Sequence, residues 1–515
     1  MPHVASSASA SSQVHSTGFR SPQKKAGRRH CPNAYREPER HSYSEAPHRC
    51  GVPGWSLRDR IGRQSSLDLG LLSRVCNLEV VQEVLAQHGF GQTRPGIGKV
   101  GALLPLYLTV YLVLALCLFP GEPYQEVLQL FWQAWFPGRS RLRSPNKSSL
   151  CRARQRLGGG VMAGLFRAIA RPLATVETPG AFWRGLRIMG VDGFTMEVAQ
   201  SEANERAFGG QVDKHGQRVG LPQLHVAALI ECGTHAPVDA EQGRYDDSER
   251  WLAAQLARSL RSDMLVIQDR GFMEVRLWRA YRKTGTHLLW RIAANVATKV
   301  VEVLDDGTYI AQVQASKKNK RGPSSDHPEP IEVRVIEFRV EGSNELVRLA
   351  TSLLKPETAP AEELAKLYAE RWECEGTYDE LKTHQRGAGV VLRSRTPDGV
   401  QQELWSHLIV HHGARSLACE AATAGNHDPD RISFVLALRI IRRSLPHPSF
   451  PTTQQAAFEA AIAELTEPRS RVHRRHRSYP RTIKRRAGRY PCSPRRGGGS
   501  RSPAPPAISL QRYGE

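Results

Sequence analysis

Apolar residues recur at helical spacing from Leu67 to about Gly180. This part of the chain contains LLSRVCNLEVVQEVLAQHG, a long apolar stretch, EPYQEVLQLFWQAWF and SPNKSSLCRARQRLG. Positions i, i+3, i+4 and i+7 share one face of an α-helix, so this spacing predicts amphipathic helices. We therefore predict an all-α N-terminal domain over residues 67–180.

The pattern changes at Leu186 to short apolar runs separated by helical stretches. The runs LRIMGVDGF, QLHVAALIEC and DMLVIQDRGF are typical of buried strands, and SERWLAAQLARSL has a helical period. KVVEVLDDGTYIAQVQA predicts a hairpin that turns at Asp306-Gly307, and IEVRVIEFRV a further strand. The chain is thus predicted to be α/β, with a core over residues 181–294 and 353–467 and a β-rich insertion over 295–352.

The apolar stretch from Ala102 to Phe119 reaches the length at which a membrane-spanning helix becomes an alternative. Pro105 interrupts it early and shortens its helical part, which favours a buried core helix. We therefore predict no membrane partner.

Both ends of the chain differ in composition from the middle. Residues 1–66 are rich in Ser, His, Arg and Pro and have no apolar period, so we predict disorder there, and the sequence leaves open whether they are translated. Residues 468–515 form a predicted disordered, basic tail, in which Arg and Lys recur between Arg469 and Arg496 without an acid. Such a tail is typical of an arm that binds phosphates.

The overall charge favours a polyanionic partner. The 515 residues carry a formal net charge of +22, with a pI near 9.9. Nucleic acid is the commonest partner of so basic a surface, and an anionic membrane is the competing one. The 9 cysteines are scattered, without a Cys-x-x-Cys pair, which indicates a reduced, cytoplasmic protein without a zinc knuckle.

The stretch YAERWECEGTYDELK concentrates charge on one side of a predicted helix. At about 100° per residue, one narrow face carries Tyr368, Arg371, Glu375 and Lys382. Asp379 lies only about 20° from Tyr368 by the same arithmetic and remains a rival to Glu375. The alternative interpretation is a solvated helix with intrahelical ion pairs.

Two predicted strands end in carboxylates, Asp192 in GVDGF and Asp269 in QDRGF. Ligands gather at the carboxyl ends of strands in α/β sheets, so a helix packed nearby would bring Glu375 to the same place. Three carboxylates in one pocket repel one another unless a cation neutralises them. Oxygen ligands without Cys or His select Mg²⁺ or Mn²⁺, and two such ions would suit phosphodiester displacement.

These residues resemble the DDE transposases of bacterial insertion sequences, of the insertion-element-four type. The third acid of that family stands in a Tyr-x2-Arg-x3-Glu-x6-Lys signature, which this chain matches from Tyr368 to Lys382. DGFTMEVAQSEANERAFGG and QDRGFMEVRLWRAYRKTGTHLLWRI are similar to the segments around the first two acids. Phe194 and Ala199-Gln200 depart from the Thr and the Pro-Asp pair that members often carry.

The resemblance implies an RNase H-like catalytic core interrupted by a β-rich insertion. It implies catalytic and metal-binding roles for Asp192, Asp269 and Glu375, which favours Glu375 over Asp379. It also implies that the signature's Tyr, Arg and Lys contact the DNA backbone. The expected protein is a transposase that nicks double-stranded DNA at the terminal inverted repeats of its element and joins the freed end to target DNA. We expect a homodimer in the DNA complex and a nucleoid-associated location.

Sequence-specific DNA binding is expected in the N-terminal helices. Pro145 and Asn146 precede a helix that carries Arg152, Arg154 and Arg156, the outline of a helix-turn-helix, and the alternative is a bundle with an exposed Arg face.

Two pairs of residues in the expected core invite a metal-binding or a base-stacking role. His411 and His412 are adjacent and face different directions on a helix, which argues against metal binding, and Trp278 and Trp290 are interpreted as core residues. For the activity, a catalytically inactive DNA-binding derivative and an RNase H-like nuclease without strand transfer both stay open.

Overall fold

The computed structural model describes residues 69–91, 104–135, 145–314, 329–341, 345–387, 389–445, 453–472 and 507–514. The predicted N-terminal segment 1–66 and most of the predicted basic tail lie outside these residues. All the described residues belong to one unit, formed by Arg60–Ser316 and His327–Glu515.

Five helices make up the described part of the N-terminal region. They are α1 Leu78–Gln87, α2 Leu106–Leu118, α3 Tyr124–Trp135, α4 Lys147–Leu157 and α5 Gly160–Ile169. Asn77 and Asn146 begin α1 and α4, because their side chains accept the backbone N–H groups of Val80 and Ser149. Every residue of α2 from Tyr107 to Leu118 is buried, so the predicted core helix is confirmed. None of the described helices combines the length and apolar character that a membrane crossing needs.

The centre of the molecule is a mixed sheet of 11 strands. The strands are β1 Phe182–Trp183, β2 Leu186–Glu197, β3 Gln223–Glu231, β4 Ala236–Arg244, β5 Met264–Gln268, β6 His287–Ile292, β7 Thr298–Val303, β8 Tyr309–Val313, β9 Ile331–Val340, β10 Leu346–Thr351 and β11 Ile508–Gln511. Their order is β4-β3-β2-β5-β6-β10-β9-β8-β7, with β1 beside β2 and β11 beside β9. β2, β5 and β6 are parallel neighbours, and the remaining pairs are antiparallel.

The predicted insertion continues this sheet. Its strand β10 pairs with β6, with Ala350 opposite Trp290. The predicted hairpin between β7 and β8 is confirmed, and its turn needs Gly307 because φ there is +83°. The insertion is therefore an extension of the central sheet.

The end of the chain differs from the prediction of a disordered tail. Residues 508–511 form β11, which pairs antiparallel with residues 337–340 of β9. On that side β8 pairs with β9 only as far as Val335, so β11 covers backbone groups that would otherwise form an open sheet edge.

Helices lie on the sheet and complete the core. The short helices α6 Glu202–Phe208, α7 Glu249–Gln255 and α8 Val275–Arg282 come between the strands. After the sheet follow α9 Ala361–Leu367, α10 Trp372–Asp379, α11 Pro397–Ala424, α12 Phe434–Arg443 and α13 Gln454–Thr466. α11 contacts α2, α5, α12 and α13 and shares one hydrophobic core with the N-terminal helices. The N-terminal region therefore has no separate core within the described residues.

Candidate active site

Strands β2 and β5 bring the two predicted aspartates together. They are parallel neighbours, and Gly190 of β2 lies opposite Ile267 of β5. Asp192 and Asp269 each come two residues after this pair, so they lie at the same level of the sheet. Asp269 directly follows the end of β5, as predicted. Asp192 was expected to end its strand and instead lies inside β2, which continues to Glu197 because it pairs with β3 over its whole second half.

The helix that carries Glu375 has three different windings. Tyr368–Arg371 is a 3₁₀ turn, Trp372–Asp379 is α-helical and Glu380–Gln385 is a π-helix. The uniform turn of about 100° per residue assumed from the sequence therefore fails at both ends. Lys382 in particular lies in the π segment.

Two tyrosines tie this helix to the strands of both aspartates. The Tyr378 hydroxyl donates to the Asp192 carbonyl oxygen at 2.6 Å, and the Tyr368 hydroxyl donates to the Gln268 carbonyl oxygen at 3.3 Å. Tyr368 is only 9% exposed, which does not favour its expected contact with the DNA backbone. Its hydroxyl is bound at the end of β5, beside Asp269.

A glycine allows the helix to approach β2 closely. A Cβ atom at Gly190 would lie 2.1 Å from Sγ of Cys374, a separation that no real contact reaches. Cys374 immediately precedes Glu375, so the absence of a side chain at position 190 determines how near the third acid comes to the sheet.

Arg371 lies among the three carboxylates. Its guanidinium donates to Oε1 of Glu375 at 3.2 Å, and its charge also interacts with Asp192 and Asp269. The side chain is buried, and Arg371 faces the acids. The cation offsets part of the repulsion between the acids.

The environment of Asp192 perturbs the pKa of its carboxyl group. Burial, the largest cause, and then the charges of Glu249 and Asp269 raise its pKa to about 6. The Gly193 N–H, which donates to Oδ1 of Asp192 at 2.8 Å, and the Arg371 charge act in the opposite direction. The carboxylate is thus held where its ionised form lacks full compensation.

Lys382 is half-buried beside Asp192. Its Nζ lies 5.0 Å from the ring centroid of Phe194 and 5.8 Å from that of Tyr378. Burial, and then the charge of Arg386, lower its pKa, whereas the Asp192 charge opposes that change. The first acid therefore has a second cation close to it, from the π segment, in addition to Arg371.

A second ionic cluster lies behind the same helix. The Nε2 atom of His235 lies 2.6 Å from Oε2 of Glu373 and 3.2 Å from Oδ1 of Asp430. Among the residues that the structure describes, only these three bring possible metal-ligand atoms within 4.8 Å of one another. Glu380 pairs with Arg415 in this cluster. No sequence pattern pointed to it, because its members come from four distant segments.

Within the cluster, the charge of His235 depends on its acidic neighbours. Burial and Arg415 lower the pKa of His235, but Asp430, Glu380 and Glu373 outweigh them and raise it to about 10. The predicted divergence of the adjacent histidines is confirmed, since His411 contacts Glu380 and His412 contacts the Pro237 carbonyl.

The three arginines of α4 have different environments. Arg154 is buried, donates to Gln402 at 2.8 Å and to Ser394 at 2.9 Å, and lies 3.6 Å from Glu403. Its guanidinium links α4 to the start of α11, a structural role that does not favour the expected contact with DNA. Arg156 donates to the Leu104 carbonyl at 2.7 Å and Arg152 is exposed. The connection from α3 to α4 lies outside the described residues, so the helix-turn-helix stays a prediction.

The two tryptophans of the core segment are structural, as predicted. Trp278 and Trp290 are buried, with ring centroids 5.0 Å apart in an edge-to-face arrangement.

Comparison with known proteins agrees with this arrangement. The family described as Insertion element 4 transposase N-terminal matches residues 66–167, and the family described as Transposase DDE domain matches residues 183–411. Transposase InsG for insertion sequence element IS4 of Escherichia coli (strain K12) is 27% identical over 451 residues, which cover 85% of this chain and 97% of InsG. Putative transposase InsZ of the same strain is 23% identical over 159 residues, 30% of this chain and 53% of InsZ.

A solved piggyBac transposase synaptic complex with hairpin DNA is similar to this chain with a TM-score of 0.37 and 9% sequence identity. The match covers 77% of this chain and 84% of that chain. This similarity is too low to support a statement about the fold.

The DDE match spans Asp192, Asp269 and Glu375, and the helical family match precedes it. Together they define the class of protein, a DDE transposase with an N-terminal helical region. The chain belongs to the IS4 family of DDE transposases. It is an enzyme of DNA cleavage and strand transfer.

Proposed function

We propose that Asp192, Asp269 and Glu375 are the catalytic carboxylates of this transposase. The observation that carries the proposal is the position of Arg371, whose charge interacts with all three acids and with no other carboxylate among its leading partners. Three acids that share one buried cation lie near enough to it for their charges to interact with it. The strand order β4-β3-β2-β5-β6, with antiparallel β4, β3 and β2 followed by parallel β5 and β6, supports an RNase H-like core.

The donor set fits a hard divalent cation. It consists of carboxylate oxygens alone, and the raised pKa of Asp192 reflects a buried acid that a nearby cation would relieve. Asp192, Asp269 and Glu375 would hold Mg²⁺ or Mn²⁺, in two sites. When bound, these ions supply Lewis-acid activation of the attacking oxygen and neutralise charge on the phosphate.

The chain's own residues prepare this site. Asp192 gives up its proton more readily once a cation is near. Glu375 would bind the cation in place of Arg371, and the guanidinium could then donate to a DNA phosphate oxygen. Lys382, which lacks a carboxylate within hydrogen-bond distance among the described contacts, is placed to contact the neighbouring phosphate.

The DNA partners are proposed from the positively charged residues around the site, in α4 and in the tail. The substrate is double-stranded DNA at the terminal inverted repeats, followed by target DNA, and two copies of the chain act in the complex. Arg152 and Arg156 remain candidates for contact with the repeats, and the basic tail for sequence-independent contact with phosphates.

Cleavage by Glu375→Gln tests the assignment. Gln keeps the shape of Glu375 and removes its charge, so Mg²⁺-dependent nicking of a terminal-repeat duplex should be lost while binding of that duplex survives. Asp379→Asn is the matched control, because Asp379 is exposed and its side chain pairs with His384 at 3.5 Å. Nicking at the wild-type rate by the Glu375 variant would contradict the proposal.

A further inference from the structure

A fourth carboxylate, that of Glu249, lies against Gly193, the residue after Asp192. Glu249 is the first residue of α7, and its side chain crosses the backbone of Gly193. A Cβ atom at position 193 would lie 2.8 Å from Oε1 and 3.0 Å from Cδ of Glu249. Gly193 therefore leaves the space that the Glu249 carboxylate occupies on the α7 side of β2, and the charge of this carboxylate reaches Asp192.

Glu249 is held in this position from two sides. The Nε2 atom of His225, a buried residue of β3, lies 3.3 Å from Oε1 of Glu249, and Nδ1 of the same ring lies 3.0 Å from the Asp247 carbonyl oxygen. The next residue, Arg250, donates to the Gly271 carbonyl at 2.7 Å. The start of α7 is thereby fastened to the loop that follows Asp269.

The electrostatic effect of Glu249 on Asp192 is direct. After burial, the leading cause, the charges that raise the pKa of Asp192 are those of Glu249 and then Asp269. The Glu249 side chain is 46% exposed, so it is open to solvent and to a ligand on that side.

The charge balance of the site favours a further carboxylate, such as that of Glu249, beside the three acids. The three acids carry three negative charges, and Arg371, which pairs with Glu375 in the metal-free protein, would be released to DNA. Three negative charges exceed the charge of one divalent cation and fall one short of the charge of two. A fourth carboxylate on the Asp192 side reduces that shortfall where it is needed.

We infer that Glu249, positioned by His225, is a fourth acidic residue of the catalytic metal site and contributes its carboxylate to the divalent cation held by Asp192. This inference rests on the proposed function of Asp192, Asp269 and Glu375. It assigns the start of α7 to the active site, outside the acids of the signature.

Binding of Mn²⁺ to the full chain, followed by electron paramagnetic resonance without DNA, tests this inference independently of activity. Glu249→Gln keeps the contact with His225 but removes the charge, so Mn²⁺ binding should weaken about tenfold or more. The Mg²⁺ concentration needed for half-maximal nicking should rise by a similar factor. Asp246→Asn is the matched control, because Asp246 lies in the same turn, is 72% exposed and pairs with Arg244. Its Mn²⁺ affinity should equal that of the wild type.

The outcomes separate the inference from the proposed function. Wild-type Mn²⁺ affinity and Mg²⁺ dependence in Glu249→Gln would overturn the role of Glu249. If Asp192→Asn loses cleavage in the same experiment, the proposed function stands without a role for Glu249. If Asp192→Asn cleaves normally, the proposed function itself fails. A purely structural role of Glu249 would lower the melting temperature and leave Mn²⁺ affinity unchanged, which also overturns the inference.

Discussion

Replacing Asp192 by Asn should stabilise the metal-free protein while it removes activity. Burial first, and then Glu249 and Asp269, raise the pKa of Asp192 from 3.8 to about 6. Because this pKa is higher in the folded than in the unfolded chain, the folded state binds an additional proton between about pH 4 and 6. The metal-free protein therefore loses stability as the pH rises through this range, and the loss is complete at neutral pH.

The size of the effect follows from the pKa change. At about 1.4 kcal/mol per pH unit, a rise of about two units corresponds to about 3 kcal/mol, an upper limit for the gain on removing the charge. Asn keeps an oxygen that accepts the Gly193 N–H, now 2.8 Å from Oδ1, so the substitution retains the local hydrogen bond. Asn is a poorer ligand for a hard cation, so nicking should be lost.

Thermal unfolding at several pH values measures this prediction. At pH 7.5 without divalent ions, Asp192→Asn should melt a few degrees above the wild type, and the difference should disappear near pH 4, where the folded wild-type chain carries a protonated Asp192. Added Mg²⁺ should raise the melting temperature of the wild type more than that of the variant. A variant that melts at or below the wild type at pH 7.5 would refute the electrostatic reasoning about this site.

Three further predictions concern more distant parts of the molecule. Arg154→Met should destabilise the protein by about 3–5 kcal/mol in denaturant unfolding, because Glu403 loses a buried partner. Arg152 is exposed, so Arg152→Met should leave the free energy of unfolding unchanged. Equal effects of the two substitutions would contradict the burial of Arg154. The pKa of His235, raised to about 10, predicts stability that is full below about pH 6.5 and declines towards pH 10, and His235→Gln should flatten that decline in a pH series of melting temperatures. Deleting residues 507–515 should lower the melting temperature without weakening DNA binding, because these residues include β11. Neutralising the cations of residues 473–506 should instead weaken binding to all duplexes and reduce the salt dependence of binding. Unchanged affinity after this second change would exclude a DNA-binding arm.

Much of the architecture follows from periodicity. The uniformly apolar stretch after Pro105 predicts α2, and alternation with a central Asp306-Gly307 predicts the β7–β8 hairpin, and the structure contains both. These features depend on contacts close in sequence, so their residue pattern is sufficient. The basic α4 shows the limit, because Arg154 is buried by residues of α11, which a local pattern cannot reveal.

The sequence predicted which acids lie around one cation, Arg371, but not the geometry of the helix that carries Glu375. The signature pointed to Glu375, but a uniform helical turn treated Tyr368 and Lys382 as members of one exposed column. Tyr368 is buried because its hydroxyl has a carbonyl partner at the end of β5, and Lys382 is displaced by the π-helical winding. Glu249 was missed altogether, since nothing in SERWLAAQLARSL distinguishes an acid beside Asp192 from an ordinary residue in the first turn of a helix.

The changes in helical winding explain how one short segment serves two opposed sides. Glu375 faces Arg371 on the side of the sheet aspartates, whereas Glu373 and Glu380 pair with His235 and Arg415 on the other side. The ion pairs on the second side are buried, so displacing the helix would separate buried charges from their partners. Such a separation costs several kcal/mol. The position of Glu375 is therefore fixed by ion pairs behind it before any cation or DNA arrives. Such pre-positioning of the third acid is what a site needs if Arg371 is to exchange partners while the helix stays in place.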